Sequence, residues 1–369
     1  MRNLLKGKTL SLVASGMILS STMAFGANTI EEAFKEGTVS GGLAAYTTYS
    51  DNKGVDDSAF STGAVSLGFE TASLNGFSAK AGFIGVHLFD EKYKDDASED
   101  IASKALMTEA SISYTHDLAS LTIGRQEIDL EWMGDFHEAA VANIMAIPDT
   151  TIVLGYTQKI AVAGVDEISE RFEKVNENKG AYVLDIKYAG LDGLEFNPYA
   201  YSAPDLADWY GLKTTFEADN FGLVAHYALS SEDTQDDGSI GHVELNGNLE
   251  NLTAAVGYIK TDKDVGVATM AELGDNISPF EDGEQVYGVN AKTTYASIGY
   301  TIADIELGAL YGETKYNNDF KEKELNLTVG YSFTESLAAS VLYADISADS
   351  KDTDTHDYNK VLASVEYTF

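Results

Sequence analysis

Apolar and polar residues alternate with a period of two along most of the chain, from Thr38 to the last residue. In the last segment, Phe369 and Tyr367 fall on one face, and Thr368 and Glu366 fall on the other. Successive side chains of a β-strand point to opposite faces, whereas an amphipathic helix repeats about every 3.6 residues. The pattern therefore predicts an all-β protein whose strands have one apolar and one polar face.

Seventeen segments carry this alternation, and each is about the length of one strand. Their ranges are 38–49, 61–71, 77–88, 106–116, 119–128, 151–161, 180–189, 193–203, 206–217, 220–230, 239–248, 251–261, 285–302, 303–314, 322–333, 337–347 and 359–369. The segment "AAVANIMAI" at 139–147 is either a further strand or a short helix within a loop. Because single-chain bacterial barrels normally have an even number of strands, we expect eighteen, with sixteen as the alternative.

The polar face of these segments is small, hydroxylic or charged nearly everywhere. A soluble β-sandwich would pack large apolar faces into a core, whereas many strands of about ten residues with one polar face predict a transmembrane antiparallel β-barrel. Short and long connections also alternate, as in outer-membrane barrels whose short turns face the periplasm. Closure of the barrel would pair the last strand with the first, and Phe369 would lie in the periplasmic girdle of aromatic residues.

The N-terminal residues predict export. Residues 1–26 have a basic start, an apolar middle and the small-x-small site Ala24-Phe25-Gly26, which is typical of a secretory signal peptide. Residues 27–369 would then form the outer-membrane barrel. Within them, the segment 29–36 predicts a short periplasmic helix, because Thr29 and Glu32 have the spacing of a capping box.

The charge of the chain restricts its partners. The formal net charge is −35, and removal of the signal peptide takes away three basic residues and no acid. Such a charge argues against binding to nucleic acid and favours cations. The chain has no cysteine, so neither a disulfide nor thiolate chemistry is available to it.

Two stretches carry a more specific signal: "NTIEEAFKEGTVSGGLAAYTTYSDN" at the mature start and "GRQEIDLEWMGDFHEAAVANIMAIPDTTIVLGYT" in the middle. With the signal peptide and the terminal aromatic strand, they resemble the major outer-membrane porins of epsilonproteobacteria, within the OprD-like porin superfamily. The resemblance implies eighteen strands, a trimer, an inward-folded third loop and recognition of Phe369 by the barrel-insertion machinery. OprD-type channels for basic amino acids carry an arginine ladder, and this chain departs from that pattern, with Arg125 and Arg171 alone after cleavage.

The region 126–149 is the candidate constriction loop, because it concentrates acidic residues. The predicted constriction residues are Glu127, Asp129, Glu131, Trp132, Asp135, His137 and Glu138. An acidic ring at a narrow, low-dielectric site attracts cations and repels anions. The alternative is a solvated surface loop, which acidic runs often form.

A basic pore wall would face this acidic loop. Water and polar solutes would then be ordered between the negative loop and the positive wall. Strand parity assigns to the lumen Lys159, Lys187, Lys213 and Lys292, and Arg125 is the fifth candidate for this wall. A lysine on the lipid face near the midplane would cost about 2–4 kcal/mol, which favours the lumen, although lysines at strand ends could instead extend to the membrane surface.

Acidic loops could also hold Ca²⁺, since carboxylates are its preferred ligands. The candidate ligands are Asp349, Asp352, Asp354 and Asp357. No loop has the spacing of an EF-hand, so solvated loops are the default and no cofactor is expected.

The sequence as a whole predicts a porin for passive diffusion of small hydrophilic solutes, with cations preferred. Its expected partners are outer-membrane lipid and lipopolysaccharide, the barrel-assembly machinery, the permeating solutes and two further copies of itself.

The alternative functions are those of a barrel protease or lipase, or of a surface adhesin with a blocked lumen. The six histidines are scattered and no GxSxG or HExxH motif is present, which disfavours an enzyme. Sixteen to eighteen strands enclose an aqueous channel, which disfavours a blocked lumen.

Overall fold

The computed structural model describes residues 26–317, 320–349, 352 and 355–369, so the predicted signal peptide lies almost wholly outside the described residues. Helix α1 (Ile30–Lys35) precedes nineteen strands in this part of the chain. The strands are β1 Thr38–Asn52, β2 Ser58–Glu70, β3 Phe77–Glu91, β4 Ala105–His116, β5 Ala119–Glu127, β6 Phe136–Ile144, β7 Thr150–Ala161, β8 Glu173–Lys174, β9 Ala181–Leu191, β10 Leu194–Ala203, β11 Ala207–Glu217, β12 Phe221–Glu232, β13 Gly238–Leu249, β14 Leu252–Thr261, β15 Lys292–Ile302, β16 Ile305–Tyr316, β17 Phe320–Ser332, β18 Leu337–Ser347 and β19 Tyr358–Thr368. None of the helices that the structure describes has the length and hydropathy needed to cross a bilayer.

Eighteen of these strands close into one antiparallel barrel, and the two-residue β8 pairs with β7 inside a loop. The barrel closes between β1 and β19, whose register runs from Gly42 opposite Thr368 to Asn52 opposite Tyr358. The Phe369 N–H then donates to the Gly41 carbonyl at 3.0 Å, and the Gly41 N–H donates back at 3.1 Å. Each of the eighteen barrel strands therefore has a neighbour on both sides, and the last strand leaves no open sheet edge.

The number of barrel strands depended on whether the segment 139–147 forms a strand. Residues 139–144 belong to β6, which pairs with β5 and β7, so eighteen strands are confirmed and a helix in a loop is wrong. The predicted strand at 285–302 was too long, because residues 284–287 form a 3₁₀ turn and β15 begins at Lys292. The residues before Lys292 belong instead to a loop that turns back into the barrel.

The predicted alternation of faces is confirmed along the strands. In β1, Tyr46 is buried toward the lumen, whereas Leu43, three positions earlier, is 52% exposed on the outer face. The same contrast recurs on other strands for the predicted lipid-facing residues Val65, Ile112, Leu223 and Val329, which are all exposed. An exposed apolar outer surface of this extent is what a membrane-embedded barrel needs.

Helix α1 lies at the end of the barrel where the connections are short. Its N-terminus is capped by Thr29, whose hydroxyl accepts the Glu32 N–H at 3.1 Å. The Phe34 ring stacks on Phe69 of β2 at 5.9 Å, and the Ala72 N–H donates to the Ala33 carbonyl. These contacts attach the helix to the first hairpins.

Three long connections on the opposite end fold into the lumen. They are the 92–104, 162–180 and 262–291 loops, and two apolar clusters hold them against the inner wall. One cluster packs the 262–291 loop, through Met270 and Val286, against strands β9 to β16. The other packs the 162–180 loop, through Val165 and Ile168, against β1 to β4, β6, β7 and β19.

Candidate pore constriction

The connection between β5 and β6, residues 128–135, crosses to another part of the barrel wall. At its tip, Trp132 is fully buried, and its Nε1–H donates to the Tyr199 hydroxyl on β10 at 2.6 Å. The same hydroxyl lies 2.7 Å from Nε2 of His226 on β12. This buried polar chain fixes the tip in place, because an unpaired indole N–H would be costly to bury.

The neighbouring Glu131 forms an ion pair with the wall rather than facing open water. Its Oε1 lies 2.5 Å from Nζ of Lys213, and its Oε2 lies 3.9 Å from Nδ1 of His226. Glu131 was predicted to line the acidic constriction and Lys213 the opposing basic wall. The structure brings the two together, so their charges largely cancel.

A second such cluster involves Glu138 on β6. Its carboxylate bridges Arg125, at 2.9 Å, and Lys159, at 2.7 Å, on the two neighbouring strands. The Arg125 guanidinium also lies over the Phe172 ring of the 162–180 loop, at 4.3 Å from the centroid. Glu138 is thus flanked by two cations on the lumen wall and adds no free negative charge.

The structure corrects the extent of the predicted constriction loop. The region 126–149 contains an eight-residue loop, 128–135, and then the whole of strand β6. His137 lies on that strand and is fully buried, with ring nitrogens 2.8 Å from the Thr157 hydroxyl and 2.7 Å from the Gly134 carbonyl. It therefore has no access to a solute, because both of its nitrogens are occupied by the protein.

Three predicted acids do remain beside the lumen. Glu127 ends β5, and Asp129 and Asp135 are exposed in the loop that follows. Asp129 accepts a long hydrogen bond, 3.5 Å, from the Asn276 side chain of the 262–291 loop. Asp135 lies near enough to Glu167 of the 162–180 loop for their charges to interact.

The 162–180 and 262–291 loops add acids that were not among the predicted constriction residues. The charge of Asp166 acts on Glu167, on Glu281 and on Glu366 of β19, which places carboxylates from both loops and the wall in one region. Asp100 of the 92–104 loop belongs to the same group, since it interacts with Asp166. We call Asp100, Asp135, Asp166, Glu167 and Glu281 the loop acids. In the sequence these loops are recognisable only as long and acidic, and neither property indicates that they fold into the barrel.

Burial and mutual repulsion raise the pKa values of two loop acids. Burial first, and then Asp166, Asp135 and Asp100, raise the pKa of Glu167 to about 7. Burial also raises the pKa of Glu281 to about 7, where nearby acids add to the shift and Lys360 opposes it. Both carboxylates therefore titrate near neutral pH.

The 262–291 loop is attached to the wall by hydrogen bonds from its backbone and side chains. The Glu324 carboxylate of β17 accepts the N–H groups of Glu281 and Asp282, at 2.8 and 3.2 Å. Asp282 in turn accepts from Lys360 at 2.9 Å and from the Tyr358 hydroxyl at 3.1 Å. This attachment holds Glu281 in the lumen.

The two remaining predicted wall lysines differ in orientation. Lys187 follows the buried Val183 and Asp185 on alternate positions of β9, so it faces the lumen as predicted. Lys292 alternates with the buried Thr293 and Tyr295 and therefore points outward. Its assignment to the pore wall was wrong, because Lys292 shares a strand face with the exposed Ile298.

The predicted calcium ligands serve other contacts where they are described. Asp357 lies 3.0 Å from Lys53 and accepts the Ala348 N–H, and Asp352 accepts from the Tyr316 hydroxyl at 2.6 Å. Asp354 lies outside the described residues. No group of three histidine, aspartate or glutamate side chains suited to a metal occurs in the described part of the chain. A calcium site therefore stays a prediction.

Comparison with known proteins finds similarity in structure rather than in sequence. No protein-family model matches the chain, and no curated protein matches it. Among solved structures, OpdO of Pseudomonas aeruginosa superposes with a TM-score of 0.77 at 13% identity, over 92% of this chain and 98% of that one. OccAB4 of Acinetobacter baumannii gives 0.73 at 15% identity, over 90% and 99%. OpdK of Pseudomonas aeruginosa, solved with vanillate, gives 0.74 at 12% identity, over 91% and 99%.

These neighbours are OprD-like porins, which are also called Occ channels. The chain thus has the fold of these neighbours, a closed antiparallel barrel of eighteen strands. That fold agrees with the resemblance found in the sequence.

Proposed function

We propose that the protein is an outer-membrane porin through which small hydrophilic solutes and ions diffuse passively, with cations preferred. The observation that carries the proposal is the segregation of charge along the lumen. The loop acids come from four different loops and share one region, whereas Lys213 is paired with one wall carboxylate and Arg125 and Lys159 share another. The net field in the narrow part of the channel is therefore negative, which lowers the energy of an entering cation.

Anionic solutes should pass less readily for the same reason. The neighbour OpdK was solved with vanillate, which is a carboxylate. A carboxylate entering this channel would meet the loop acids while the nearest wall cations are already paired. We infer that small cations and neutral polar solutes are the substrates of this chain.

A barrel enzyme is the less favoured alternative. Such an enzyme needs a histidine or carboxylate that can reach both a nucleophile and a substrate. His137 and His226 are buried, and their ring nitrogens contact Thr157, Gly134 and Tyr199 in fixed structural interactions. These contacts position the 128–135 loop and leave the imidazoles without a path to a substrate.

The proposed location is the outer membrane of a bacterium, which the sequence resemblance narrows to an epsilonproteobacterium. In this placement residues 1–26 direct export, the short turns and α1 face the periplasm, and the long loops face outward. Phe369 is 58% exposed on the outer surface at the turn end, where assembly machinery could reach it. A trimer follows from the resemblance alone.

Single-channel recording across a planar bilayer with a KCl gradient tests the function. The refolded mature chain should give steady open steps with a cation-selective reversal potential. A variant with Asp166→Asn, Glu167→Gln and Glu281→Gln should lose most of that selectivity. The matched control neutralises three exposed turn acids, by Asp192→Asn, Asp219→Asn and Glu250→Gln, and should behave as the parent. Anion selectivity in the parent, or equal reversal potentials in the two triple variants, would contradict the proposed constriction.

A further inference from the structure

The outer surface of the barrel carries a concentrated group of positive charges on strands β14 to β17. We call it the lysine row, and its members are Lys260, Lys292, Lys315, Lys321 and Lys323. All five lie at strand ends on the side of the barrel that carries the long loops; Lys260 and Lys292 flank the 262–291 loop, and the other three flank the short connection between β16 and β17. They point outward, because the residues that alternate with them, Ile259, Thr293, Thr314, Glu322 and Glu324, are buried toward the lumen.

The strand register places four of these lysines side by side. Lys260 is opposite Lys292, Lys292 is opposite Lys315, and Lys315 is opposite Lys321. Side chains directly opposite each other on neighbouring strands lie about 5 Å apart at Cβ, and like charges in that arrangement are destabilising. A row of four lysines with three such contacts therefore has a cost that a bound anion would offset.

The protein itself supplies little negative charge to the lysine row. Glu313 lies among the lysines at 3.5 Å from Lys315, 3.7 Å from Lys321 and 3.8 Å from Lys323, so one carboxylate is shared by three ammonium groups. Neither Lys260 nor Lys292 has an ion-pair partner among the residues that the structure describes. The side chains of Lys315 and Lys321 are about half exposed, at 51% and 47%.

This positive patch stands out against the rest of the molecule. The chain has a formal net charge of −35, yet five of its 24 basic residues lie here. At comparable loop-side positions elsewhere on the outer surface the charged residue is acidic, as with Asp208 on β11 and Asp345 on β18. The lysine row is therefore a local feature and does not follow from composition.

The position of the lysine row along the strands matches the edge of the membrane. Directly beneath it on the outer face lie Tyr258 and Tyr311, and beyond them come apolar residues such as Val256 and Leu327. Tyrosines mark the interfacial girdle of a membrane barrel, and the apolar band follows it. The lysines thus lie at the level where lipid head groups meet the barrel.

We propose that the lysine row binds the phosphate groups of a phosphorylated glycolipid, of the lipopolysaccharide type, in the leaflet on the loop side. The inference rests on the proposed outer-membrane placement. Ammonium groups held in a line suit a head group with more than one phosphate, because each phosphate can contact two neighbouring lysines. The acyl chains of the same lipid would lie along the apolar band below.

Binding of purified lipids to the refolded barrel in detergent, followed by native mass spectrometry, tests the proposal without measuring conductance. The probes are diphosphorylated lipid A, enzymatically dephosphorylated lipid A and phosphatidylglycerol. Replacement of three lysines, by Lys292→Gln, Lys315→Gln and Lys321→Gln, should weaken lipid A binding on the order of a hundredfold. The matched control, with Lys94→Gln, Lys174→Gln and Lys263→Gln, removes the same charge from exposed loop positions and should bind as the parent.

Several outcomes would overturn the proposal. They are equal loss in both triple variants, unchanged binding in the lysine-row variant, equal binding of dephosphorylated lipid A, and equal binding of phosphatidylglycerol. A lysine-row variant that changes only the oligomeric state would instead indicate a second copy of the chain as the partner.

Heat-modifiability on gels shows whether each variant has folded. A variant with arginine at the same three lysine positions should retain binding. Because selectivity is recorded separately, a barrel that binds lipid A without conducting would refute the porin and keep this site.

Discussion

Lys360 on the last strand donates a hydrogen bond to Asp282 of the 262–291 loop, at 2.9 Å between Nζ and Oδ1. The two residues are 78 positions apart in the chain. Both side chains are mostly buried, with 22% and 18% exposed, so the ion pair lies inside the lumen rather than in bulk solvent. It joins the strand that closes the barrel to the loop that narrows it.

Asp282→Ala should release this part of the loop and widen the channel. The change leaves Lys360 with an unpaired charge and removes the acceptor of the Tyr358 hydroxyl, which should lower the local opening free energy by roughly 1–3 kcal/mol. Single-channel conductance and open-channel noise should both increase. Asp264→Asn, at an exposed position of the same loop, is the control and should leave both unchanged. Equal conductance in Asp282→Ala and the parent would mean that this pair does not restrain the loop.

Cation selectivity should depend on pH near neutrality. The pKa values of Glu167 and Glu281 are raised to about 7, mainly by burial, so both carboxylates gain protons as the pH falls from 8 to 6. Loss of negative charge at low pH should reduce cation selectivity, and the reversal potential should shift toward zero. The variant Glu167→Gln/Glu281→Gln should show a weaker pH dependence over that range. A parent channel with constant selectivity from pH 8 to 6 would contradict the placement of these acids.

Gly274→Ala should loosen the contact between the 262–291 loop and the 128–135 loop. A Cβ at Gly274 would lie 2.7 Å from the Gly134 backbone nitrogen, and the φ of +122° is one that other residues rarely adopt. Backbone strain of this kind costs about 1–3 kcal/mol. Hydrogen exchange should therefore become faster at the Gly134 N–H, which donates to the Leu273 carbonyl at 2.9 Å.

Gly134→Ala provides the matched control for that experiment. A Cβ added at Gly134 would have no atom within 4 Å, although the glycine belongs to the same contact. Exchange across 262–291 should stay at the parent rate in this variant. If both substitutions accelerate exchange equally, the close approach of the two backbones is not what holds the loops together.

Deletion of Phe369 should impair assembly of the barrel. The residue supplies two backbone hydrogen bonds to Gly41, and its ring is exposed at the turn end of the closing strand. The yield of heat-modifiable barrel from membranes should fall severalfold, whereas Phe369→Tyr, which keeps the backbone bonds and an aromatic ring, should retain it. A normal yield from the deletion variant would remove the terminal residue as an assembly signal.

The loops show why the sequence could predict a constriction but not its members. The predicted acids Glu131 and Glu138 are real inward-facing residues, yet each is paired with a cation on another strand. Glu131 and Lys213 are 82 positions apart, and no local pattern indicates that they meet. The loop acids Asp166 and Glu281 became candidates only when their loops were seen inside the barrel. Sequence order does not give the distances on which Coulomb energies depend.

What the sequence determined by itself is the barrel: its strands, their two faces and the even number that closure requires. Those features follow from a period of two, which each strand carries locally because neighbouring side chains must point to opposite sides. The tertiary structure decided which charges meet. The register of four strands assembled the lysine row, and the alternation along β15 puts Lys292 on the outer face rather than in the expected lumen. A slip of one residue in register would move every side chain of a strand to the other face, so charge placement follows from pairing rather than from composition.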